Sequence, residues 1–350
     1  MSCCDPNGTG SPVPEDRAIG RRAALKTLAG VTGGIAVASR GLPARAAGEA
    51  VSLAFCGQLL CVVPYEVTKA RGHFAAEGLD VDLVYTRGGS AAVQALVGGA
   101  VDYAASSFDV AVQAFDKGAR ILRFASTGRL PLFALAAGPR SVAEVTDLAS
   151  LAGRTLGVSA LGNADHVLAL YLLGQAGVDP GQVRFATLGP NLYDAVRLGQ
   201  VDAGMVQEPA LTLLLEAGGK VLVNVMDIDH AHRHLGGPYE FMGIAVRAEE
   251  RDERLEQMRR LTRALDKGLH DTRTIPVEEV VAALPRELVA GGNRGQLVDI
   301  LERHRASLYP ETPAIDPESA GRVIRSLASA DLIQPDFPLD RLIDRSVVEG

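Results

Sequence analysis

Three short loops of the sequence combine small residues with hydroxyl, amide and carboxylate side chains: residues 88–90, 106–109 and 159–165. Each loop follows a predicted strand and precedes a predicted helix. The first turn of a helix leaves backbone N–H groups unpaired and carries a partial positive charge. Glycine allows close approach to the backbone, while Ser, Asn and Asp add polar contacts. Such loops at the carboxyl edge of a sheet predict a pocket for a small anionic or strongly polar ligand.

Ordinary helix capping by Ser90, Ser107 and Asn163 would explain any one of these loops alone. The loops fall in two separate predicted sheets, however, and are expected to face each other across a cleft. Nucleotide binding is not indicated, because the sequence has no Gly-Lys-Ser/Thr phosphate loop and no G-x-G-x-x-G after the first predicted strand. The pattern therefore favours a small-ligand cleft.

Two cysteines, Cys56 and Cys61, flank Gln58 in the loop predicted to follow the first strand. In an oxidising compartment they could form a disulfide. Two buried thiols acting as small hydrophobic side chains are an equally good interpretation. We expect the two cysteines either to pair or to lie close enough to do so.

Residues 227–234 alternate histidines with other residues. On a strand, His230, His232 and His234 would share one face and could bind a metal. Because a Gly-Gly-Pro sequence follows at 236–238, we instead expect a solvated polar loop without a metal.

The first 46 residues are organised like a secretory leader. Residues 20–26 contain two adjacent arginines, residues 27–38 are apolar, and residues 44–46 read Ala-Arg-Ala. The paired arginines resemble a twin-arginine (Tat) export signal. Because the apolar run is short and glycine-rich, it is not expected to span a bilayer. We predict export by the Tat machinery, cleavage after Ala46 and a soluble periplasmic product; a retained N-terminal anchor is the alternative.

Composition excludes several classes of partner. The formal net charge is −7 and no basic tract is present, which argues against nucleic acid. After the leader, no apolar stretch reaches the roughly 18 residues of a membrane span. The chain has no tryptophan, which disfavours a sugar-stacking platform. The remaining length is enough for two lobes of ordinary domain size.

Short strands and helices alternate along residues 51–248, which predicts largely parallel sheets. The expected strands are 51–55, 79–85, 101–105, 120–125, 132–137, 155–159, 183–187, 203–206, 221–225 and 241–246. The expected helices between them are 62–76, 91–97, 110–116, 147–151, 164–176, 192–198 and 209–217. A helical C-terminal block follows, with helices at 249–272, 277–284, 293–305 and 317–328. We expect this block to pack on the first lobe.

Six ordered segments resemble the solute-binding proteins of ABC importers for nitrate, sulfonates, taurine and thiamine precursors. They are 70–81 (ARGHFAAEGLDV), 88–90 (GGS), 95–102 (ALVGGAVD), 151–158 (LAGRTLGV), 176–180 (AGVDP) and 198–209 (LGQVDAGMVQEP). Each segment is weak alone, and the resemblance depends on their order and spacing along residues 51–248.

The resemblance implies an α/β, two-lobed periplasmic-binding-protein fold of type II, with a hinge and the C-terminal helices packed on lobe one. It implies an export signal at 1–46, lobe one at 48–134 plus 244–350, and lobe two at 135–243. It further implies a protein that is not an enzyme and needs no cofactor. Such a protein captures a small polar or anionic molecule between its lobes, of sulfonate, nitrate, thiamine-precursor or aromatic-carboxylate type. The expected partners are an ABC permease and its ATPase.

The resemblance also implies ligand-binding positions, transferred motif by motif. They are Gln58, Gly89, Ser90, Ser107, Phe108, Gly162, Asn163, Ala164, Glu208 and Tyr239. Glu208 would repel an anion, so it either faces a cation or neutral donor or serves the hinge and the next helix N-terminus. Arg87 and Arg129 lie near strand ends and could supply positive charge or be solvated.

An enzymatic function is the alternative. Desulfinases resemble these binding proteins and use a cysteine nucleophile in the first loops, so Cys56 or Cys61 with His73 could act in that way. Export argues against it, because a lone reactive thiolate is poorly suited to an oxidising compartment.

Overall fold

Within residues 48–289 and 293–349, which the computed structural model describes, ten strands form two five-stranded sheets. Each strand coincides with one predicted from the sequence, with its ends shifted by at most two residues. The predicted export signal at 1–46 lies outside the described residues. The strands are β1 (Glu49–Cys56), β2 (Leu79–Thr86), β3 (Tyr103–Ser107), β4 (Ile121–Ser126), β5 (Ala134–Ala137), β6 (Thr155–Val158), β7 (Arg184–Thr187), β8 (Ala203–Val206), β9 (Lys220–Asn224) and β10 (Met242–Arg247).

The two sheets repeat one pattern, in which four strands run parallel to one another and one runs in the opposite direction. The first has the order β2-β1-β3-β10-β4, and the second has the order β7-β6-β8-β5-β9. In each sheet one strand runs antiparallel to its neighbours: β10 in the first and β5 in the second. Each sheet with the helices packed on it is called a lobe below. The boundaries between the lobes that were predicted from the sequence, after residue 134 and after residue 243, remain a proposal.

Fourteen α-helices lie in the described part of the chain, and none of them is long and apolar enough to cross a membrane. They are α1 (Leu59–Ala70), α2 (His73–Ala76), α3 (Gly89–Val97), α4 (Phe108–Asp116), α5 (Ala164–Gln175), α6 (Leu192–Arg197), α7 (Ala210–Glu216), α8 (Ile228–Leu235), α9 (Leu255–Thr274), α10 (Val277–Ala283), α11 (Arg286–Val289), α12 (Arg294–Leu308), α13 (Pro317–Ser329) and α14 (Ser346–Glu349).

The histidine-rich segment is helix α8, so the loop predicted there is wrong. The Asp227 carboxylate accepts hydrogen bonds from the backbone N–H groups of Asp229 and His230 and caps the helix. Gly236, with φ +80°, ends it. Helical spacing brings the rings of His230 and His234 to 5.8 Å between centroids. Among the described residues, no group of three or more His, Cys, Asp or Glu side chains is arranged to hold a metal ion.

Two stretches of chain connect the lobes, at 127–133 and 225–241. They are hydrogen-bonded to one another where they meet the first sheet. The backbone N–H of Thr127 donates to the Met242 carbonyl at 2.7 Å, and that of Phe241 donates to the Gly128 carbonyl at 2.9 Å. The connections therefore form a paired ribbon, the arrangement a hinge needs to bend as one unit.

A buried arginine anchors this ribbon to the first sheet. The Arg123 side chain is fully buried and donates to the Ser106 carbonyl at 2.8 Å. Its guanidinium lies 3.9 Å from the Glu240 carboxylate and over the Phe108 ring, 5.4 Å from the centroid. Burial raises the pKa of Glu240 to about 8, and the Arg123 charge opposes that rise. The pair ties β3 and β4 to the segment that enters β10.

The C-terminal helices pack on the first lobe, as expected. Helix α9 lies against α1 and α2, and α14 lies against α9 and β4. Helix α13 contacts both α4 of the first lobe and α5 of the second. The C-terminal block therefore also contacts the second lobe.

The contact between α1 and α9 is close enough to require glycine at position 268. A methyl group added there would overlap the Thr68 side chain, whose hydroxyl donates to the Pro64 carbonyl. We expect Gly268→Ala to lower the free energy of unfolding by about 1–3 kcal/mol through overpacking. Thermal and denaturant unfolding measure this loss.

Gly174 in α5 is the matched control, because no heavy atom outside its own helix lies within 4 Å of an added Cβ. Gly174→Ala should leave stability unchanged or raise it by up to about 1 kcal/mol through helix propensity. Equal effects of the two substitutions would contradict a packing role for Gly268.

Candidate functional site

A cavity of about 60 Å³ lies between the two sheets and is lined by residues of both lobes. Gln58, Gly89 and Ser107 line it from the first lobe, and Asn163 and Ala164 line it from the second. A water molecule needs roughly 10–15 Å³ of such space, so the cavity has room for about four or five waters. It is therefore large enough for a compact polar group.

Two larger spaces adjoin this cavity. One, of about 880 Å³, extends along Arg87 and Ser90, and the other, of about 280 Å³, extends towards Glu208. Both share Gln58 and Ser159 with the small cavity. The cleft therefore extends from the small cavity in two directions, one towards Ser90 and the other towards Glu208.

Four helices begin at the cavity wall: α1, α3, α4 and α5. Their N-cap residues are Gln58, Gly88, Ser107 and Asn163, and none of these uses its side chain to cap its own helix. The capping alternative considered for Ser107 and Asn163 is therefore wrong. These positive helix ends meet around one small space and favour a polar or negatively charged group there.

A chain of hydrogen bonds crosses the cleft. The Ser90 hydroxyl donates to the Asn163 side-chain carbonyl at 3.1 Å. The Asn163 amide donates to the Ser159 hydroxyl at 3.1 Å, and that hydroxyl donates to the Asp165 carboxylate at 2.7 Å. The backbone N–H of Ser159 donates to the other Asp165 oxygen. The chain links a helix start in the first lobe to a carboxylate in the second.

A second bond joins the lobes nearby. The Gln113 amide of α4 donates to the Gly162 carbonyl at 3.1 Å. Gly162 has φ +79°, a conformation that favours glycine, and its N–H donates to the His166 ring at 3.1 Å. With the lobes in contact at both places, the structure is in a closed conformation.

The charges around the cavity are divided between two sides. Asp109 and Asp165 are each the second residue of their helix, α4 and α5, and both are buried. Burial raises the pKa of Asp109 to about 6 and also raises that of Asp165. Helices α1 and α3 have no acidic residue in their first turn, and Arg87 lies in the wall beside α3. One side is thus positive and the other carries carboxylates.

The structure brings most of the residues predicted from the sequence together. Five of the predicted residues line the small cavity: Gln58, Gly89, Ser107, Asn163 and Ala164. Ser90 and Gly162 line a neighbouring space of about 250 Å³. Sequence reasoning missed Ser159 and Asp165 as members of the site. The signal was present: Ser107-Phe108-Asp109 and Asn163-Ala164-Asp165 repeat one order of polar N-cap, apolar residue and aspartate.

Phe108 and Tyr239 were predicted at the ligand, but both side chains are buried in the core and line none of the cavities described above. Phe108 turns away because its ring packs beneath Arg123. Arg129, considered as a source of charge, donates instead to the carbonyls of Ala306 and Ser307 at the end of α12. These positions serve packing and the hinge region.

Glu208 was expected either to face a cation or neutral donor or to serve the next helix N-terminus, and its two carboxylate oxygens do one each. One carboxylate oxygen accepts bonds from the Thr212 N–H at 3.0 Å and hydroxyl at 2.9 Å, which caps the start of α7. The other oxygen lies 3.6 Å from the His304 ring and 3.7 Å from the Arg303 guanidinium. Burial raises the pKa of Glu208, but the nearby His304 ring and the hydrogen bonds from Thr212 lower it by more, so the net shift is downwards.

Cys56 and Cys61 are free thiols, and both are buried in the cavity wall. Hydrogen bonding between them lowers the pKa of Cys56 and raises that of Cys61. They therefore lie side by side without a disulfide, which agrees with the second part of the expectation.

Solved structures show the class of this fold. A protein from Bordetella bronchiseptica RB50 is 23% identical with a TM-score of 0.76, over 86% of this chain and 96% of its own. The periplasmic aliphatic sulphonate binding protein SsuA from Escherichia coli is 17% identical with a TM-score of 0.67, over 85% and 92%. The periplasmic nitrate-binding protein NrtA from Synechocystis PCC 6803 is 13% identical with a TM-score of 0.67, over 86% and 88%. The chain has the two-lobed periplasmic-binding-protein fold of type II, as predicted.

Residues 62–279 match the model of the family described as NMT1/THI5 like. This match covers more than half of the chain, so the protein belongs to that family. The resemblance stated from the sequence motifs is thereby confirmed. No curated protein matches the chain in sequence.

The raised pKa of Asp109 predicts a pH-dependent stability difference. The folded state holds the proton up to about pH 6 and the unfolded chain only up to 3.8, so ionisation above pH 4 costs folding free energy. Asp109→Asn removes this cost. We expect it to raise the free energy of unfolding, relative to wild type, by nearly zero at pH 4 and by about 2–3 kcal/mol at pH 7.

Asp116→Asn, at the exposed end of the same helix, is the control and should show no such trend. Denaturant unfolding of the three proteins at several pH values measures the differences. A difference for Asp109→Asn that does not change with pH would contradict the assignment.

Proposed function

We propose that the protein is an extracytoplasmic solute-binding protein that captures a small polar or anionic solute between its lobes and delivers it to an ABC permease and its ATPase. The observation that carries the proposal is the interlobe chamber, at which four helices start without a capping hydrogen bond from their N-cap side chains. Family membership and the type II fold support it, as does the binding of a sulphonate and of nitrate named for two proteins of similar structure. A periplasmic location and Tat export complete the proposal and depend on the leader sequence.

The proposed ligand-binding residues are those of the chamber and its immediate border. The N-termini of α1 and α3, with Arg87, would receive an anionic or strongly accepting group. Asp165 lies in the opposite wall and favours a hydrogen-bond donor. A solute that carries an accepting group and a donor within a few atoms fits this two-sided chamber better than an anion alone.

Matched pairs of compounds test this function. Nitrate, bicarbonate, thiamine precursors, aromatic carboxylates and sulfonates are screened by thermal shift, and hits are confirmed by calorimetry. Each sulfonate and carboxylate is paired with its amino derivative, such as ethanesulfonate with 2-aminoethanesulfonate. We expect one-to-one binding without turnover, and tighter binding of the amino member. If no compound raises the melting temperature while one of them is consumed, the protein is not a solute-binding protein.

The bond between Ser90 and Asn163 predicts the effect of losing either side chain. We expect Ser90→Ala and Asn163→Ala each to weaken ligand binding by about 0.5–1.5 kcal/mol, with little change in melting temperature. Because the two residues bond to each other, the double variant should lose less than the sum of the single losses.

Ser329→Ala is the control, since that hydroxyl bonds only within α13, to the Ser326 carbonyl. It should leave affinity unchanged. If both cleft variants lose stability and keep their affinity, Ser90 and Asn163 are structural residues and not part of the site.

A cysteine-dependent enzyme is a second candidate, favoured by Cys56, which lies in the chamber wall with a lowered pKa. Its predicted partner His73 is engaged elsewhere, 2.7 Å from the Asp271 carboxylate, and is not among the residues that line the chamber. Release of sulfite from an aromatic sulfinate, abolished by Cys56→Ser, would support the enzyme. Its absence together with saturable ligand binding supports the binding protein.

A further inference from the structure

Three sulfur-containing residues line the small chamber: Cys56, Cys61 and Met242. They come from three elements, because Cys56 ends β1, Cys61 is the third residue of α1, and Met242 begins β10. Thiolates and thioethers are soft ligands that select soft metal ions such as Cu(I). Their convergence on one small space is not required by packing, since many apolar side chains could fill these positions.

The thiols differ from cysteines that only fill a hydrophobic core. They line a cavity whose other walls include polar residues such as Gln58, Ser107 and Asn163, so an ion that enters the cleft can reach them. The two thiols are hydrogen-bonded to each other, so one ion in the chamber can contact both sulfur atoms. Cys61 lies in the first turn of α1, whose N-terminus carries a partial positive charge beside the two sulfur atoms.

The number of ligands decides which ions fit. Structural zinc takes four ligands, and catalytic zinc takes three from the protein. Among the residues that the structure describes, no group of three or more His, Cys, Asp or Glu side chains could hold a metal ion. Two thiolates suit a monovalent soft cation that accepts two-coordinate binding, and the Met242 thioether is available as a weak third ligand.

We propose that Cys56 and Cys61 together bind one soft, thiophilic cation of the Cu(I) type inside the interlobe chamber. Both thiols lose their protons to solvent as two sulfur–metal bonds form, and no oxidation state changes. The complex carries one negative charge, which the α1 N-terminus and Arg87 offset and the nearby Asp165 opposes. Because the solute chamber and the cation site share their walls, each ligand excludes the other.

The test is an anaerobic Cu(I) titration of the reduced protein in competition with a coloured Cu(I) chelator. Since the full chain also contains Cys3 and Cys4, every protein carries Cys3→Ser and Cys4→Ser as the reference background. We expect one equivalent of Cu(I), with thiolate-to-copper absorbance in the near ultraviolet. Cys56→Ser and Cys61→Ser should each weaken binding at least 30-fold, and Zn(II) should bind far more weakly than Cu(I).

Two further variants keep the result interpretable. Met242→Leu preserves volume, and a loss of up to about tenfold would show the thioether as a third ligand. Melting temperatures of the cysteine variants show whether they remain folded, and the alanine variant at the same position, Cys56→Ala or Cys61→Ala, replaces a serine variant that does not. Equal Cu(I) affinity of the reference protein and the Cys56→Ser/Cys61→Ser variant overturns the proposal, as does Zn(II) binding as tight as Cu(I). Solute binding is measured separately, so either activity can fail without the other.

Discussion

The bond chain from Ser90 to Asp165 is the constraint on which the closed cleft depends. Asp165 is buried, and its two carboxylate oxygens accept from the N–H and the hydroxyl of Ser159. The Ser159 proton is thereby committed, and that oxygen can only accept from the Asn163 amide. The Asn163 carbonyl is then left facing Ser90. The hydrogen bonds therefore all run in one direction. Ser90 of the first lobe donates to Asn163, Asn163 donates to Ser159, and Ser159 donates to the Asp165 carboxylate of the second lobe.

This chain also explains why the helix ends at the chamber are free. Asn163 is the N-cap of α5, a position where its side chain ordinarily stabilises the helix by about 1 kcal/mol. Here the amide and carbonyl bond to Ser159 and Ser90, and the helix start is left open. Ser107 likewise does not cap α4. At both positions the N-cap side chain lines the cleft and does not stabilise its own helix. This pattern is expected of a binding site and not of a structural loop.

The sheets were predictable from the sequence because short apolar runs, with alternation at residues 79–85, stand between helical patterns and breaks of glycine or serine. Helix α8 was missed because the Gly-Gly-Pro sequence at 236–238 was interpreted as the end of a loop, while the decisive signal was the Asp227 cap. Within the site, the loops were found but some side chains were not. Whether a residue such as Phe108 points into the cleft depends on its place in the helical turn and on Arg123 beneath it, a contact with residue 123 that local sequence does not encode. Ser159 and Asp165 bond to each other within the second lobe, and Asn163 links them to Ser90 of the first lobe.

The two carboxylates also bear on how closure is controlled. Asp109 and Asp165 occupy the same position in facing helices, and the Asp165 charge is one cause of the raised pKa of Asp109. The two carboxylate charges therefore repel one another in the closed structure. A solute with a hydrogen-bond donor reduces the repulsion, while its accepting group satisfies the helix ends of α1 and α3. Such a ligand interacts more favourably with the closed form than with the open one, which is the condition for a ligand to shift the protein towards closure.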